Sequence, residues 1–257
     1  MASPAGTRGA WLGGGIARLR YGVFGDVHAN LPALEAVLAA LRAQRVDGWL
    51  CLGDLVGYGA DARACVERVR ELDPVLVGGN HDWAVAGRLD LDWFNLAARE
   101  AIVWTQRALP REHVEWLGSL PLLHEHDGIT LAHSTVHDPE KFDYLQTPYD
   151  AFESFRQMRT TRGFVGHSHV PITFFEGPAI TYSMESPLQL GPARSLSNVG
   201  SVGQPRDEDP RAACGVYDTS TQVLELLRVT YDIGAAARAI RAAGLPDILA
   251  ERLHLGR

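Results

Sequence analysis

Short apolar runs alternate with helical patterns along the first third of the chain. Residues 20–25, 49–52 and 75–77 are apolar and predict three buried strands. Between them, residues 31–43 and 61–71 place apolar side chains three and four positions apart, which predicts two helices. This alternation is typical of a sheet with parallel strands, in which ligands bind beyond the carboxyl ends of the strands.

Further helices, a hairpin and a run of strands are predicted in the rest of the chain. The hairpin is predicted around Asp127-Gly128, a dipeptide that suits the tight turn between antiparallel strands. From residue 170 onward, strand patterns dominate until the C-terminal helices. The predicted helices are 95–118 with a break near Pro110, 149–159, and two that begin at Asp232 and Pro246; the predicted strands are 122–126, 129–132, 163–165, 172–175, 195–199, 213–217 and 222–230, with a flexible loop at 183–194.

The size of the chain suits one domain with a full core. It has 257 residues, of which 46% are hydrophobic, and neither a repeat nor a linker divides it. We expect a single domain over residues 20–257 with C-terminal helices. Residues 1–19 lack the continuous apolar segment of a signal peptide, and we expect them to form a mobile tail.

Charge and cysteine content exclude several classes of function. The formal net charge is -7 and no long Lys/Arg run is present, which argues against bulk electrostatic binding of nucleic acid. Three dispersed cysteines form neither a disulfide framework nor a CxxC metal site, so the expected compartment is the reducing cytoplasm. No apolar run has the length of a membrane span, and no membrane association is expected.

Polar residues of one chemical type follow five of the predicted strands. Because side chains alternate along a pleated strand, Asp-x-His and His-x-His are expected to place both side chains on one side. Each motif alone is common: Gly-Asp is also a turn, and a lone histidine is more often a core residue. Their conjunction predicts a site for first-row metals, which bind oxygen and imidazole ligands together. The motifs are Asp26-Val27-His28, Gly53-Asp54, Gly79-Asn80-His81, His133 and His167-Ser168-His169.

The order of these motifs resembles the calcineurin-like metallophosphoesterase family over roughly residues 20–230. Residues 25–30, 53–59 and 198–207 are similar to a branch of small cytosolic members from bacteria and archaea. The resemblance implies an α/β fold, a four-layer α/β/β/α sandwich of two mixed sheets, with the metal site at one edge.

The resemblance also implies a cofactor and a set of ligands. The cofactor would be two divalent transition-metal ions, drawn from manganese, iron, nickel, cobalt or zinc. Their positive charge would attract a phosphate ester although the whole protein is acidic. The first ion would be held by Asp26, His28 and His169, the second by Asn80, His133 and His167, and Asp54 would bridge both.

The implied reaction is hydrolysis of a phosphate ester by a hydroxide that bridges the two metals. His81 would stay off the metals and either protonate the leaving group or stabilise the transition state. Protein serine/threonine phosphatases of this superfamily carry Asp-Arg-Gly after the bridging aspartate and an arginine before Asn-His. Here Gly57-Tyr58-Gly59 and Gly78-Gly79 stand in those places, which favours phosphodiesters. The alternatives are a phosphomonoesterase or nucleotide phosphatase with the same centre, or a non-catalytic scaffold.

Four other residues are candidates for the site, and each also has a purely structural interpretation. Arg206 and Tyr58 are candidates to contact substrate, although a surface arginine and a half-buried turn tyrosine explain them slightly better. Asn30 contacts substrate or braces the first loop, and Asp82 orients His81 or caps the next helix. Residues 198–203 are candidates to pack under the site, and His137 is a candidate for its rim. The remaining histidines, at 113, 124, 126 and 254, are expected at the surface. The tryptophans at 93, 104 and 116 are expected in the core.

Overall fold

A computed structural model describes residues 19–257, and two stacked six-stranded sheets form its framework. The predicted strands are all present, with ends that differ by one or two residues. The strands are β1 Arg20–Phe24, β2 Gly48–Cys51, β3 Val75–Leu76, β4 Leu123–His126, β5 Ile129–Ala132, β6 Arg162–Val165, β7 Ile172–Phe175, β8 Thr181–Ser183, β9 Leu188–Gln189, β10 Ser195–Asn198, β11 Ala212–Asp218 and β12 Val223–Val229.

The helices begin and end close to where the sequence predicts them. Asp232 caps the seventh helix by accepting a hydrogen bond from the backbone N–H of Ala235 at 2.7 Å, as expected. Short 3₁₀ turns occur at Leu91–Trp93 and Pro139–Lys141. The α-helices are α1 Leu31–Ala43, α2 Ala62–Leu72, α3 Asn80–Val85, α4 Leu96–Ala108, α5 Arg111–Ser119, α6 Pro148–Gln157, α7 Ile233–Ala242 and α8 Asp247–Leu255.

Both sheets mix parallel and antiparallel strands. The first sheet has the order β3-β2-β1-β11-β12-β9, and the second has the order β4-β5-β6-β10-β7-β8. In the first sheet β1, β2 and β3 are parallel, and β11 runs antiparallel to β1. In the second, β5, β6 and β10 are parallel, and their neighbours β4 and β7 are antiparallel.

The inner faces of the two sheets meet in an apolar core. Along β1 the side chain of Val23 packs into this inter-sheet core, whereas its neighbour Phe24 packs toward the helices. Leu50 and Cys51 of β2 divide in the same way, because side chains alternate along a strand. From the second sheet, Phe164 of β6 enters the same core.

Helices cover the outer face of each sheet. Leu34 and Leu38 of α1 pack with Val66 of α2 against the first sheet. Phe155 of α6 packs with Phe174 on the outer face of the second sheet. The layers therefore follow the order α/β/β/α, which confirms the predicted sandwich of two mixed sheets.

Two expectations about the periphery differ from the structure or fall outside it. The segment 183–194, expected to be a flexible loop, contains β9, which pairs with the start of β12. The expected tail at residues 1–19 lies outside the described residues except for Leu19, whose N–H donates to Thr219 Oγ1 at 3.0 Å. Within residues 19–257, no helix combines the length and apolarity that crossing a membrane requires.

His113, expected at the surface, is buried with 4% of its area exposed. Its Nδ1 lies 3.2 Å from a guanidinium nitrogen of Arg70, and its Nε2 lies 3.4 Å from a carboxylate oxygen of Glu67. A single histidine on an amphipathic helix gives no sequence signal for such partners, which come from α2. His124 and His254 are exposed as expected.

The inter-sheet core predicts a large cost for removing Phe164, which is 1% exposed. We expect Phe164→Ala to lower the free energy of unfolding by about 3–5 kcal/mol, because it leaves a cavity between the sheets. Phe152→Ala is the matched control: this phenylalanine is 49% exposed on α6, and its loss should cost about 0.5 kcal/mol or less. Denaturant unfolding of both variants measures the difference, and equal costs would contradict the assigned core.

Candidate metal centre

The polar residues that follow β1 and β6 meet at one end of the two sheets. Asp26, His28 and His169 are almost fully buried, and each places one potential ligand atom within 4.8 Å of the others. The Nε2 atoms of His28 and His169 are 3.1 Å apart. His169 Nε2 lies 3.2 Å from Asp26 Oδ1. These three residues, which the sequence predicts together, therefore converge on one point.

A second group of predicted residues lies beside the first. Asp54, His133 and His167 also place ligand atoms within 4.8 Å of one another. His133 Nε2 is 3.3 Å from Asp54 Oδ2 and 3.2 Å from Asn80 Oδ1. The same carboxylate oxygen of Asp54 also faces the first group, because Oδ2 is 3.6 Å from His28 Nε2. Asp54 therefore lies between the two groups.

Left-handed backbone after the strands, and not the pleat of the strands, places most of these residues. The pleat of a strand was expected to align Asp26 with His28 and His167 with His169, and that explanation is wrong. Strands β1 and β6 end before these residues, at Phe24 and Val165. The ligand candidates instead adopt left-handed backbone, a conformation that costs free energy for residues other than glycine. Their φ angles are +50° at Asp26, +48° at His28, +51° at Asp54, +66° at His167 and +61° at His169.

Backbone carbonyls orient three of the imidazole rings. The Nδ1 atoms of His28, His133 and His169 lie 3.1, 2.6 and 2.5 Å from the carbonyl oxygens of Val56, Leu52 and Gln204. A carbonyl oxygen only accepts hydrogen bonds, so each Nδ1 carries the proton and donates it. When the rings are neutral, the lone pair of each Nε2 then faces the centre, which is the arrangement found in metal-binding histidines.

Two buried carboxylates give the centre its charge. Asp26 and Asp54 are 0% and 1% exposed, and among residues 19–257 neither has a Lys or Arg within ion-pair distance. Buried carboxylates without cationic partners are costly, so this arrangement requires positive charge from the imidazoles or from a bound cation.

The pKa shifts of Asp54 and His133 show that the carboxylate and the imidazole stabilise each other's charge. Burial alone would raise the pKa of Asp54, but the imidazoles of His133 and His81 hold it well below its usual range. Burial would lower the pKa of His133, but Asp54 outweighs this and raises it to about 9. A divalent cation bound there would replace the proton on His133. The donor set and its charge therefore fit divalent metal ions.

His81 lies against the centre but is held differently from the other histidines. Its backbone N–H donates to Asp54 Oδ1 at 2.8 Å. Its ring packs between Tyr58 and Phe94, with centroids 4.4 and 5.2 Å away. Burial lowers its pKa to about 4, and its Nδ1 has no hydrogen-bond partner. A ligand atom of His81 also lies within 4.8 Å of those of His28 and Asp54, so the ring is in reach of the centre.

Asp82 caps the helix in which it lies and does not orient His81. Its Oδ2 accepts the backbone N–H of Gly79 at 3.0 Å, at the start of α3. Its Oδ1 accepts the N–H of Leu55 at 2.9 Å, which ties α3 to the loop that carries Asp54. Burial, followed by the charge of Asp54, raises the pKa of Asp82 to about 7.

The segment 198–203 packs beneath the centre, as expected. The Ser201 hydroxyl donates to the carbonyl oxygen of Asp26 at 2.9 Å, and the N–H of Gly203 donates to the same oxygen at 2.8 Å. Asn198 Nδ2 donates to the carbonyl oxygen of Gly166 at 2.6 Å. One segment therefore supports both the loop after β1 and the loop after β6.

A cavity of about 430 Å³ opens in front of the centre, and Asn80, His81 and His167 lie along it. Arg206 also lines this cavity, where its Nη2 donates to the hydroxyl of Tyr58 at 3.2 Å. Tyr58 is 7% exposed, which is more deeply buried than the expected half-buried turn residue.

Asn30, the third substrate candidate, lies outside this cavity. Its Oδ1 accepts the N–H of Ala33 at 3.2 Å and so caps α1. Its Nδ2 donates to the carbonyl oxygen of Gly203 at 2.9 Å. Asn30 therefore braces the first loop, which was the alternative interpretation.

Four aromatic side chains in the cavity wall were not predicted as site residues. Tyr144 stacks on His167 with ring centroids 4.3 Å apart, and Phe142 lies beside it. On the other wall lie Phe94 and Trp93, and Trp93 is 77% exposed although it was expected in the core. No motif marks these residues.

His137, the candidate for the rim, does not line the cavity. Its Nδ1 lies 3.3 Å from the hydroxyl oxygen of Ser154, with which it forms a hydrogen bond.

Known proteins resemble this chain in sequence and fold over most of its length. The family model described as calcineurin-like phosphoesterase matches residues 19–190. An uncharacterized protein of Methanocaldococcus jannaschii is 39% identical over 243 residues, which are 91% of this chain and 97% of that protein. The crystal structure of a metallophosphoesterase from Sphaerobacter thermophilus is 40% identical with a TM-score of 0.84, covering 93% of this chain and 100% of that one. A hypothetical protein from Pyrococcus horikoshii shares the fold, with a TM-score of 0.76 at 19% identity over 93% of this chain and 98% of that one.

Gly79 provides a direct test of the centre. Its φ of -102° suits any residue, but a β-carbon there would overlap Asp54 Oδ1. We expect Gly79→Ala to push Asp54 from its place and to lower the metal content of the purified, reconstituted protein. Elemental analysis measures this, with Gly177→Ala, in an exposed bend, as the control. Full metal content in Gly79→Ala would show that metal binding does not depend on Asp54 in the position that the structure gives it.

Proposed function

Since this chain belongs to the calcineurin-like phosphoesterase family, we propose that it hydrolyses phosphoric esters with the help of two divalent metal ions. The observation that carries the proposal is the pair of buried carboxylates, Asp26 and Asp54, inside a ring of inward-facing imidazoles. Oxygen and imidazole donors suit manganese, iron, cobalt, nickel and zinc.

The spatial grouping supports the division of ligands between two sites. Asp54 lies between the groups and suits a bridging position, with Oδ2 within 3.3 Å of His133 Nε2 and 3.6 Å of His28 Nε2. Asn80 brings a neutral oxygen, which leaves the loaded centre net positive. We assign Asp26, His28 and His169 to one metal, Asn80, His133 and His167 to the other, and Asp54 to both.

Metal ions bound in this way would neutralise the phosphate charge and lower the pKa of water. The chain's own groups would then orient the ester. Arg206 lines the cavity and offers a guanidinium to the non-bridging oxygens of the phosphate. His81, which also lines the cavity, is neutral at pH 7 because burial lowers its pKa to about 4. A neutral imidazole donates one N–H, which suits stabilisation of the charge that develops on the leaving oxygen.

The loops around His81 support phosphodiesters as the preferred class of substrate. A β-carbon at Gly57 would overlap the His81 ring, and one at Gly79 would overlap Asp54. Side chains that could grip a phosphate are therefore excluded from these two positions. Of the other cations along the cavity, Lys141 pairs with Asp138 at 2.7 Å, and Arg88 lies over the Trp83 ring. One arginine at the centre suits the monoanion of a diester better than the dianion of a monoester.

Arg206 itself favours the second candidate, a phosphomonoesterase or nucleotide phosphatase with the same centre. Its Nε is buried without a hydrogen-bond partner, so the guanidinium keeps a further N–H that could donate to an additional oxygen of a terminal phosphate. For the compartment we propose the cytoplasm, which the free thiols of Cys51, Cys65 and Cys214 support.

Metal analysis combined with a panel of esters tests the proposal. We expect two equivalents of metal per chain after reconstitution, and faster hydrolysis of bis-p-nitrophenyl phosphate than of p-nitrophenyl phosphate. Preference for the monoester would select the second candidate. A chain that takes up no metal would contradict both and leave a non-catalytic scaffold of the same fold.

His81→Ala separates proton or hydrogen-bond chemistry from metal binding. We expect the variant to retain two equivalents of metal and to lose about 10²–10⁴-fold in kcat. Elemental analysis and steady-state kinetics measure the two properties on one sample, with His254→Ala, an exposed histidine of α8, as the control. Loss of one metal equivalent would make His81 a ligand, and unchanged kcat would remove it from the mechanism.

A further inference from the structure

Trp93 stands in an unusual environment for a tryptophan. It lies at the end of the 3₁₀ turn Leu91–Trp93, and 77% of its area is exposed. It also lines the cavity in front of the candidate centre, and its high exposure places it at the mouth. Tryptophan is highly buried on average, because its exposure leaves a large apolar surface in water. Such a side chain at a cavity mouth suggests a contact that forms only with a ligand.

The other tryptophans within residues 19–257 are all engaged in packing. Trp49 and Trp116 pack against the core of the first sheet, and Trp104 packs against the cluster under α7 and α8. Trp83 contacts Phe142 and lies under the guanidinium of Arg88. By contrast, Trp93 belongs to none of the apolar clusters of the described chain, and its indole makes no ring contact there. The fold itself therefore gives no reason for an indole at this position.

The cavity between Trp93 and the centre has room for more than a phosphate. Its volume of about 430 Å³ falls in the range, about 300–1,000 Å³, of pockets that hold drug-sized ligands. Phe94, the next residue, lines the same cavity and contacts the His81 ring, and Tyr144 lines it where it stacks on His167. Flat, apolar surfaces of this kind bind ring faces by stacking.

The polar side chains near the mouth are already committed to the fold. Asn95 Oδ1 accepts the N–H of Ala98 at 3.0 Å and caps α4. Asp90 Oδ1 accepts the N–H of Asp92 at 2.9 Å and caps the 3₁₀ turn. Recognition at the mouth would therefore depend on the face of a ring more than on hydrogen bonds to its edge.

We propose that Trp93 is a specificity-determining residue that selects phosphate esters carrying a flat aromatic ring, by stacking on the face of that ring. The ring is a simple aryl group or a nucleobase, since both present the same face to the indole. This inference rests on the proposed function, because it assumes that the phosphoryl group binds at the metal centre. It adds a determinant of substrate choice in a segment that carries none of the family motifs.

Binding of three non-hydrolysable phosphonates to the metal-loaded protein tests the inference. The probes are methylphosphonate, benzylphosphonate and a phosphonate that carries adenosine, and isothermal titration calorimetry measures each Kd. We expect Trp93→Ala to weaken binding of the ring-bearing probes about tenfold, equivalent to about 1.4 kcal/mol, and to leave methylphosphonate within about twofold, because only the rings would stack on the indole. Of the two ring-bearing probes, the one that binds more tightly shows whether the preferred ring is an aryl group or a nucleobase.

Two further variants control the measurement. Trp93→Phe keeps a ring and should retain most of the preference for the ring-bearing probes. Tyr149→Ala removes an aromatic side chain that is 74% exposed on α6 and does not line the cavity, so it should change no Kd. Equal weakening of all three probes by Trp93→Ala, or no weakening, would overturn the inference.

Ester hydrolysis by the same samples separates the two proposals. Wild-type protein that hydrolyses esters but shows no Trp93-dependent preference for ring-bearing probes would overturn the inference and leave the proposed function intact. Wild-type protein that binds metal, hydrolyses no ester and binds none of the phosphonates would overturn both.

Discussion

Asp26 and Asp54 are buried together at the end of two sheets, and the rest of the site is arranged to satisfy their charge. Each accepts a backbone N–H, from His167 and His81 respectively, and imidazoles surround both. Burial of two carboxylates would be strongly unfavourable without these donors and a source of positive charge. Five of the seven ligand candidates adopt left-handed backbone, which costs free energy for residues other than glycine. The convergence of these charges explains why that cost is present here.

The same constraint joins the two sheets. Asp26 follows β1 in the first sheet, and His167 follows β6 in the second, so the bond from the His167 N–H to the Asp26 carboxylate crosses between them. The apolar core that holds Val23 against Phe164 sets the distance between these strands. Small changes in inter-sheet packing would therefore move ligand candidates relative to one another. Segment 198–203 supports both loops from below, which explains why a stretch without ligand candidates contacts the centre so closely.

The aromatic wall of the cavity is built from different parts of the chain than the centre. Its aromatic surfaces come from the 3₁₀ turn that holds Trp93 and from the loop that holds Phe142 and Tyr144, neither of which carries a family motif. The candidate ligands lie in the motifs that resemble the calcineurin-like family, whereas these two segments lie outside them. The proposed chemistry therefore depends on the loops at the strand ends, and the proposed selectivity depends on the connection between α3 and α4.

The sequence alone determined the order and type of the elements, because apolar periodicity and turn residues such as Asp127-Gly128 are local. It also identified the candidate ligands, because short motifs at strand ends mark them. Only the tertiary structure decided the rest: that Asp82 caps α3, that Tyr58 is buried beside His81 and that Trp93 is exposed at the cavity mouth. Each of these depends on contacts, or on missing contacts, with residues distant in the chain, and no local pattern carries that information.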